Sequence, residues 1–161
     1  MPAVDGLVIA DLTPGQVADL AWEGPATHLR AVTAAVVRAQ RGEVDYVAVW
    51  VNGAAIGAGG VDFAVDPTGG ELWQLAVHPD LQSRGYGTRL VGALENRIVR
   101  RGRLVATLKV EADNRRAQAF YRRLGYTVTG EGFDSWEVEG PDGTVRTHSV
   151  TCLAMRHDLV G

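Results

Sequence analysis

The spacing of apolar residues divides the chain into short strands and amphipathic helices. Strand-length apolar runs occur at 7–10, 46–51, 54–65, 72–77, 104–110, 126–139 and 144–158. Helical spacing occurs from 13 to about 24, from 27 to 41, after the turn at 84–88, and from 114 to 124. One helix crosses between strands 72–77 and 104–110, which predicts that these two are parallel. The pattern therefore predicts a mixed α/β sheet, antiparallel at both ends and parallel in the middle.

Length and composition indicate one domain. The 161 residues are 46% hydrophobic and 22% charged, and no linker or repeat divides 1–161. A net charge of −3 gives no support to nucleic acid or an anionic membrane as a partner. With no leader and no apolar run of membrane-spanning length, we expect a soluble, cytoplasmic protein.

The single cysteine and the histidines carry little chemistry. Cys152 cannot form an internal disulfide, and its apolar surroundings predict a small buried core residue. No His/Cys cluster has metal-ligand spacing, so we predict no metal site. Ser83 and Ser135 lack the context of a nucleophile elbow.

A glycine-containing turn follows the 72–77 strand. Gly85 and Gly87 stand directly before a helix, where backbone N–H groups are free and the helix dipole favours an anion. A Walker loop would need Gly-Lys-Ser/Thr, which is absent. A dinucleotide fingerprint would need a third glycine at the position of Leu90. The turn therefore predicts another kind of phosphate or pyrophosphate cradle.

Two motifs resemble those of the GNAT acyltransferase superfamily. Residues 82–87, Gln-Ser-Arg-Gly-Tyr-Gly, match motif A, Gln/Arg-x-x-Gly-x-Gly/Ala. Residues 114–126 resemble motif B, Asn-x-x-Ala-x-x-Phe/Tyr-Tyr-x-x-x-Gly-Phe/Tyr. The two motifs and their strands span 72–126, whereas the first 65 residues and the final hairpin carry no diagnostic residue.

The resemblance implies a fold and a cofactor. The fold would be a mixed, mostly antiparallel sheet with a central splayed pair of parallel strands and helices on both faces. The cofactor would be acetyl-coenzyme A, with its pantetheine arm along the strand edge opened by the splay. The cofactor-binding residues implied are Leu75, Ala76, Val77, Gln82, Ser83, Arg84, Gly85, Tyr86, Gly87, Thr88, Asn114 and Tyr121.

Attack of an amine on a thioester needs a neutral amine, a stabilised oxyanion and a protonated leaving sulfur. A lysine-like amine has a pKa near ~10.4, so on the order of one molecule in a thousand is neutral at pH 7. A base, or a water chain to one, therefore contributes directly. We expect the backbone N–H of Val77 to stabilise the oxyanion.

Tyr121 is the candidate acid for the departing thiolate. It occupies the tyrosine position of the family, seven residues after Asn114. The alternative is a core aromatic on an amphipathic helix. Phe120 is expected to be the better core residue, because adjacent helical positions point about 100° apart.

Glu71 is the candidate base. It lies six residues before Val77, which matches the strand glutamate of the histone acetyltransferase branch. The alternative is an exposed glutamate at the start of a strand. The base position of the ribosomal N-terminal acetyltransferase branch is occupied here by Lys109, a cation, and Glu111 is the next candidate.

Other chemistry-bearing residues have weaker signals. His78 before Pro79 is titratable near neutrality, but a turn histidine is more often structural. Asp134, Trp136 and Glu137 lie on the late strand that tends to border the acceptor site, and acidic and aromatic groups suit a cationic amine. A hairpin tryptophan that covers the core is the commoner arrangement.

The sequence thus predicts an N-acetyltransferase that transfers acetyl to a primary amine of a small molecule by direct attack. One alternative is a protein acetyltransferase that acts on lysine or an N-terminal amine. Another is a non-catalytic acyl-coenzyme A sensor. A homodimer is possible by resemblance, but no residue signals the acceptor or the oligomeric state.

Overall fold

The computed structural model describes residues 6–159, apart from the side chains of Asp134 and Trp136. The described chain contains seven strands, three α-helices and two 3₁₀ segments. In chain order these are β1 (Leu7–Asp11), a first 3₁₀ segment (Pro14–Glu23), α1 (Ala26–Gln40), β2 (Val44–Val51), β3 (Ala54–Asp62), β4 (Gly69–Val77), a 3₁₀ turn (Pro79–Leu81), α2 (Tyr86–Arg100), β5 (Val105–Glu111), α3 (Arg115–Arg123), β6 (Thr127–Glu139) and β7 (Val145–Asp158).

The strands form one mixed sheet in the order β1-β2-β3-β4-β5-β7-β6. Every neighbouring pair is antiparallel except β4 and β5, which are parallel and joined through α2. The predicted fold class is therefore confirmed, with its antiparallel ends and central parallel pair.

The parallel pair separates before either strand ends. Pairing between β4 and β5 runs from Gly69 opposite Val105 to Leu72 opposite Leu108 and then stops. Beyond that point β4 stays paired with β3, and β5 stays paired with β7. Each strand thus follows its outer neighbour, which opens the implied splay in the middle of the sheet.

A β-bulge lies where the splay begins. Gln74 has a φ of +57°, and the β3–β4 register shifts between Ala58 and Gly60. The Tyr46 hydroxyl donates a hydrogen bond to Gln74 Oε1 at 3.0 Å. Because a bulge bends its strand and increases its twist, it helps to turn the end of β4 away from β5. The sequence pattern did not predict it.

Helices cover both faces of the sheet. On one face α2 packs Leu90, Leu94 and Ile98 into a core with the sheet. On the other face the first 3₁₀ segment and α1 bury Leu20 and Val32. The prediction that Cys152 is buried is confirmed, at 2% exposure. Within residues 6–159, no helix is both long and apolar enough to cross a membrane.

The short helix predicted from 13 to about 24 is present, but it is not a regular α-helix. It is 3₁₀-helical, and its geometry breaks at Leu20 (φ −97°, ψ 16°). Gly24 follows in an extended conformation, with Pro25 next as the N-cap of α1. Because proline lacks an N–H and restricts the residue before it, the chain cannot pass from one helix to the next as a single rod.

Candidate active site

The gap between β4 and β5 opens into a cleft of about 990 Å³, which we call the splay cleft. Most of the predicted cofactor-binding residues line it, namely Leu75, Ala76, Val77, Gln82, Ser83, Gly85, Gly87, Thr88, Asn114 and Tyr121. Arg84 and Tyr86 do not line it. The Arg84 side chain is exposed, and Tyr86 packs partly against the core.

The end of β4 presents polar backbone groups to the splay cleft. His78 N–H donates to the Ile56 carbonyl at 2.7 Å, and Val77 stands opposite Gly57. Backbone hydrogen bonds alternate along an antiparallel pair, so the N–H of Val77 points away from β3. That direction is the side of the splay, where β5 no longer supplies an acceptor.

The turn before α2 has the geometry expected of an anion cradle. Gly85 is the N-cap of α2 with a φ of +86°, a left-handed conformation that favours glycine. The N–H groups of Tyr86, Gly87 and Thr88 belong to the first turn and have no acceptor within the helix. A Cβ on Gly85 would meet no protein atom within 4 Å, so the space above the turn is open. Gln82 Nε2 donates to the Val77 carbonyl at 3.1 Å and ties this turn to β4.

A cation lies beside the cradle. Arg116 Nη2 donates to Ser83 Oγ at 2.8 Å, and Arg116 lines the splay cleft. Sequence analysis missed this residue because it occupies a variable position of motif B. The available signal was an arginine two residues after Asn114, close to the start of α3. A guanidinium next to free amides adds charge-assisted hydrogen bonding to an anion site.

The start of α3 is held by Asn114. Its side-chain oxygen accepts a hydrogen bond from Ala117 N–H at 3.1 Å, as in an N-cap. Toward the other end of the helix, the Tyr121 ring lies 5.1 Å from the ring of Phe120 and 5.8 Å from that of Tyr126. Burial raises the pKa of Tyr121 to about 12. Its hydroxyl therefore keeps its proton throughout the physiological range.

Phe120 packs against the core, as helical geometry predicted, but at its edge rather than inside it. It is half-buried and lines the splay cleft together with Tyr121. Its ring would lie 3.3 Å from a Cβ on Gly87. The buried position on α3 belongs to Gln118, whose side chain donates to the carbonyls of Glu111 and Ala112 at 3.2 and 2.9 Å. The strand end below α3 offers carbonyls that need donors, and the buried amide of Gln118 supplies them.

A second cleft of about 1,050 Å³ lies between α1, the strands β4 and β5, and β6 of the final hairpin; we call it the hairpin cleft. Glu71, Lys109 and Glu137 line it, whereas Glu111 is among the lining residues of neither cleft. The other two residues predicted to border the acceptor, Asp134 and Trp136, have side chains outside the described part of the structure.

The two clefts share Glu23, Leu75 and Tyr121. The side chain of Glu23 is only 1% exposed, and its nearest charged partner is His28, whose Nε2 lies 3.5 Å from Glu23 Oε2. Neither carboxylate oxygen has a hydrogen-bond partner among the described residues. Sequence analysis missed Glu23, since one glutamate before Gly-Pro carries no motif.

His78 has the structural role expected of it. Its Nδ1 accepts a hydrogen bond from Asp80 N–H at 3.2 Å, and its ring lies 5.1 Å from the ring of Trp22. Within the part of the chain that the structure describes, no three His, Cys, Asp or Glu side chains are grouped as metal ligands.

Comparison with known proteins gives relatives of one kind. An acetyltransferase of Yersinia enterocolitica is 33% identical over 76 residues, which is 47% of this chain and 52% of the relative. The chain thus spans about half the length of the curated relatives it matches.

Two solved structures share the fold. The ribosomal-protein-S18-alanine N-acetyltransferase of Escherichia coli has a TM-score of 0.69 at 20% identity, covering 96% of this chain and 95% of that one. An aminoglycoside 6′-N-acetyltransferase in complex with coenzyme A has a TM-score of 0.67 at 19% identity, covering 96% and 98%. The Acetyltransferase (GNAT) family profile matches residues 16–126, which include both motifs and both parallel strands. The chain belongs to the Acetyltransferase (GNAT) family.

Proposed function

We propose that this protein is an N-acetyltransferase that transfers acetyl from acetyl-coenzyme A to a primary amine of a small molecule. The observation that carries the proposal is the splay cleft, where an unpaired strand edge meets an anion cradle at the start of α2. A strand edge suits the amides of pantetheine, and a helix N-terminus suits a pyrophosphate.

The residues of the splay cleft fit such a cofactor. The edge of β4 from Leu75 to Val77 would pair with the pantetheine amides. The turn at 82–88 would hold the pyrophosphate through backbone N–H groups, with Arg116 as the adjacent cation. When bound, acetyl-coenzyme A supplies an acetyl group activated as a thioester. The coenzyme A complex of the aminoglycoside acetyltransferase supports this choice of cofactor.

Two groups of this chain would act on the thioester. The backbone N–H of Val77 would donate to the thioester oxygen as negative charge develops there. The Tyr121 hydroxyl, which lines the same cleft, would donate to the leaving sulfur. A pKa of about 12 makes Tyr121 a secure hydrogen-bond donor and a weaker acid than a free thiol, whose pKa is roughly 8.5. Its main contribution is therefore a hydrogen bond to the departing thiolate.

The hairpin cleft is the proposed acceptor site, because it meets the splay cleft at Tyr121 and Leu75. Its volume of about 1,050 Å³ is just above the usual range of small-molecule pockets, so a small amine has room to bind there. Glu71 and Glu137 on its walls suit a cationic amine. The two solved relatives act on a ribosomal protein and on aminoglycosides according to their names, so the fold alone does not favour either class.

Glu71 fits a proton acceptor that works through water. It lines the hairpin cleft and lies four residues before Leu75, roughly 13 Å along an extended strand. That distance is too long for direct contact with an amine at the thioester. Glu111, the next candidate, is on the wall of neither cleft, so a water chain to Glu71 is the better-supported route.

The test is a panel of acceptor amines in which release of free coenzyme A is followed. The panel contains amino acids, polyamines, aminoglycosides, lysine peptides and peptides with free N-termini. We expect turnover with at least one small amine and tight binding of acetyl-coenzyme A by calorimetry. Turnover confined to peptides would show that the acceptor is a protein and not a small molecule. Tight binding of acetyl-coenzyme A without turnover of any amine in the panel would show that the protein is a sensor.

A further inference from the structure

We propose that Glu23 binds the ammonium group of the acceptor where the two clefts meet and takes its proton, with His28 as a positioning residue. The inference rests on the proposed function and names the polar group that receives the substrate. The residue lies on the first 3₁₀ segment, far along the chain from both motifs.

The burial of Glu23 is the first observation. Its side chain is 1% exposed, and neither oxygen has a hydrogen-bond partner in the described structure. A buried carboxylate with unfilled acceptor sites is costly unless a cation or a donor meets it. His28 meets it from one side at 3.5 Å, while the Glu23 residue faces both clefts. An ammonium group carries three donors and a positive charge, which is the chemistry that this position lacks.

The position of Glu23 is the second observation. Among the lining residues, only Glu23, Leu75 and Tyr121 belong to both clefts in the described structure. An amine held there would stand between the acceptor site and the proposed thioester position. Glu23 also affects Tyr46 on the neighbouring strand β2. Burial is the main cause that raises the pKa of Tyr46, and the negative charge of Glu23 raises it further. Tyr46 in turn donates to Gln74, the bulge residue of β4.

The frame around Glu23 is fixed. The preceding residue, Trp22, donates from Nε1 to the Ala55 carbonyl at 2.8 Å and packs its ring against His78. Leu20, three residues before Glu23, is fully buried. These contacts anchor the segment to β3, so the carboxylate is presented by a packed backbone rather than by a free loop end.

His28 completes the arrangement. Contact with Glu23 raises the pKa of His28, against the opposing effect of burial. The His28 side chain is 30% exposed, so it connects the buried carboxylate with solvent. It therefore offers a route by which a proton can leave Glu23.

The proton balance of the step is complete. The ammonium gives one proton to Glu23, and the neutral amine nitrogen forms a bond to the thioester carbon while the carbonyl electron pair moves to oxygen. On collapse the oxygen electron pair re-forms the carbonyl bond, the C–S bond breaks, and the second proton of the nitrogen passes to the sulfur, which leaves as the thiol. Glu23 returns its proton to solvent through His28. The products are one amide and free coenzyme A.

Glu23→Gln tests the proposal, because it keeps the shape and removes the charge. With an amine that wild type turns over, we expect kcat/KM for the amine to fall by about 10²-fold or more at pH 7. The loss should shrink as the pH approaches the pKa of the amine, since the neutral form then needs no base. The affinity for acetyl-coenzyme A should stay within about twofold. Glu23→Asp, with a shorter carboxylate, should recover part of the activity and carries the test if Glu23→Gln does not fold.

Asp19→Asn is the matched control. It removes one negative charge from an exposed position on the same 3₁₀ segment and should leave kcat/KM unchanged.

The pH profiles of wild type and the variants must be compared directly, because other groups near the two clefts also titrate. The other titratable or charged groups around the two clefts are His28 and Arg30 on α1, Tyr46 on β2, Glu71 on β4, Lys109 on β5, Arg116, Tyr121 and Arg123 on α3, and Glu137 on β6.

A binding measurement separates failure of this proposal from failure of the proposed function. Protein loaded with coenzyme A, which carries no acetyl group, is titrated with the same amines. If wild type turns over or binds an amine and Glu23→Gln does so equally well, the proposal is overturned. If wild type shows no turnover but binds an amine that Glu23→Gln does not bind, the ammonium site stands while the transferase function fails. If wild type neither turns over nor binds any amine, both are overturned.

Discussion

The splay cleft and the hairpin cleft are built in different ways, although they meet at Tyr121 and Leu75. The splay cleft offers mostly backbone groups, which are the edge of β4 and the amides at the start of α2. The hairpin cleft offers mainly side chains, which come from α1, β4, β5 and β6. The binding groups of the splay cleft are set by the local geometry of the chain, whereas those of the hairpin cleft are brought together by the packing of distant segments.

This difference explains which residues could be found from the sequence. A backbone site needs glycine and a helix start in a fixed order, so it leaves a motif such as 82–87. A side-chain site needs only that suitable groups face one another, and Glu23 and Glu137 reach the hairpin cleft from opposite ends of the chain. Family motifs therefore indicate the cofactor, while the acceptor site has to be read from the folded chain.

After Glu23→Gln, the largest effect is expected at Tyr121, which also lies at the junction of the two clefts. Tyr121→Phe keeps the ring and its packing but deletes the hydroxyl, so turnover should fall by at least roughly tenfold. Affinity for acetyl-coenzyme A should change far less, and the thermal midpoint should barely move. Stopped-flow or steady-state release of coenzyme A measures the first, and calorimetry the second. Full activity in this variant would end the role of Tyr121 at the leaving sulfur.

The backbone character of the splay cleft is tested at Gly85. Gly85→Val forces a β-branched side chain into a left-handed conformation and projects it into the open space above the turn. The dissociation constant of acetyl-coenzyme A should rise by roughly tenfold or more, equivalent to a kcal/mol or more. Gly92→Val is the control, because Gly92 is exposed on α2 with nothing within 4 Å of its Cβ position. Equal affinities in folded Gly85→Val and Gly92→Val would remove the cradle.

The cation beside the cradle gives a smaller effect. Arg116→Gln should weaken acetyl-coenzyme A binding by about three- to tenfold, with the difference shrinking at high salt as screening increases. Arg115→Gln removes the same charge from the neighbouring residue, which does not line the splay cleft, and should bind like wild type. If the two variants weaken binding alike, Arg116 acts only through overall charge.

Glu71 separates the two possible proton acceptors of the hairpin cleft. If a water chain leads to Glu71, Glu71→Gln should lower turnover several-fold at low pH, and the loss should fade toward the pKa of the amine. Because Glu23 is the residue at the junction, we expect the loss to be smaller than in Glu23→Gln. An unchanged pH–rate profile in Glu71→Gln would show that Glu71, near the start of β4, takes no part in catalysis.

The smallest expected effect concerns stability. The folded pKa of His28 is raised by Glu23, so its stabilising contribution is present in full below the unfolded pKa near ~6.5 and disappears as pH rises through the folded value. The thermal midpoint of His28→Asn should therefore fall below that of wild type by about 1–2 °C more at pH 5.5 than at pH 8. In a Glu23→Gln background this pH dependence should vanish. A difference that is independent of pH in both backgrounds would contradict the linkage.

The sequence by itself determined the order of elements, the parallel pair at the centre and the turn before α2. Alternating apolar residues mark strands, helical spacing marks α2, and Gly85 is required by a conformation with positive φ. Each of these depends on neighbours within a few residues. For the same reason Arg84–Thr88 could be predicted to form an anion cradle before the fold was known.

Only the tertiary structure decided where the strands separate, that Gln118 is the buried residue of α3, and that Glu23 is buried at the junction. The splay depends on β3 and β7 holding β4 and β5 apart, and the burial of Gln118 depends on the carbonyls of Glu111 and Ala112 that it satisfies. The burial of Glu23 depends on Trp22 docking onto β3. These are contacts between segments far apart in the chain, and their energies come from packing and desolvation, which no local pattern of residues records.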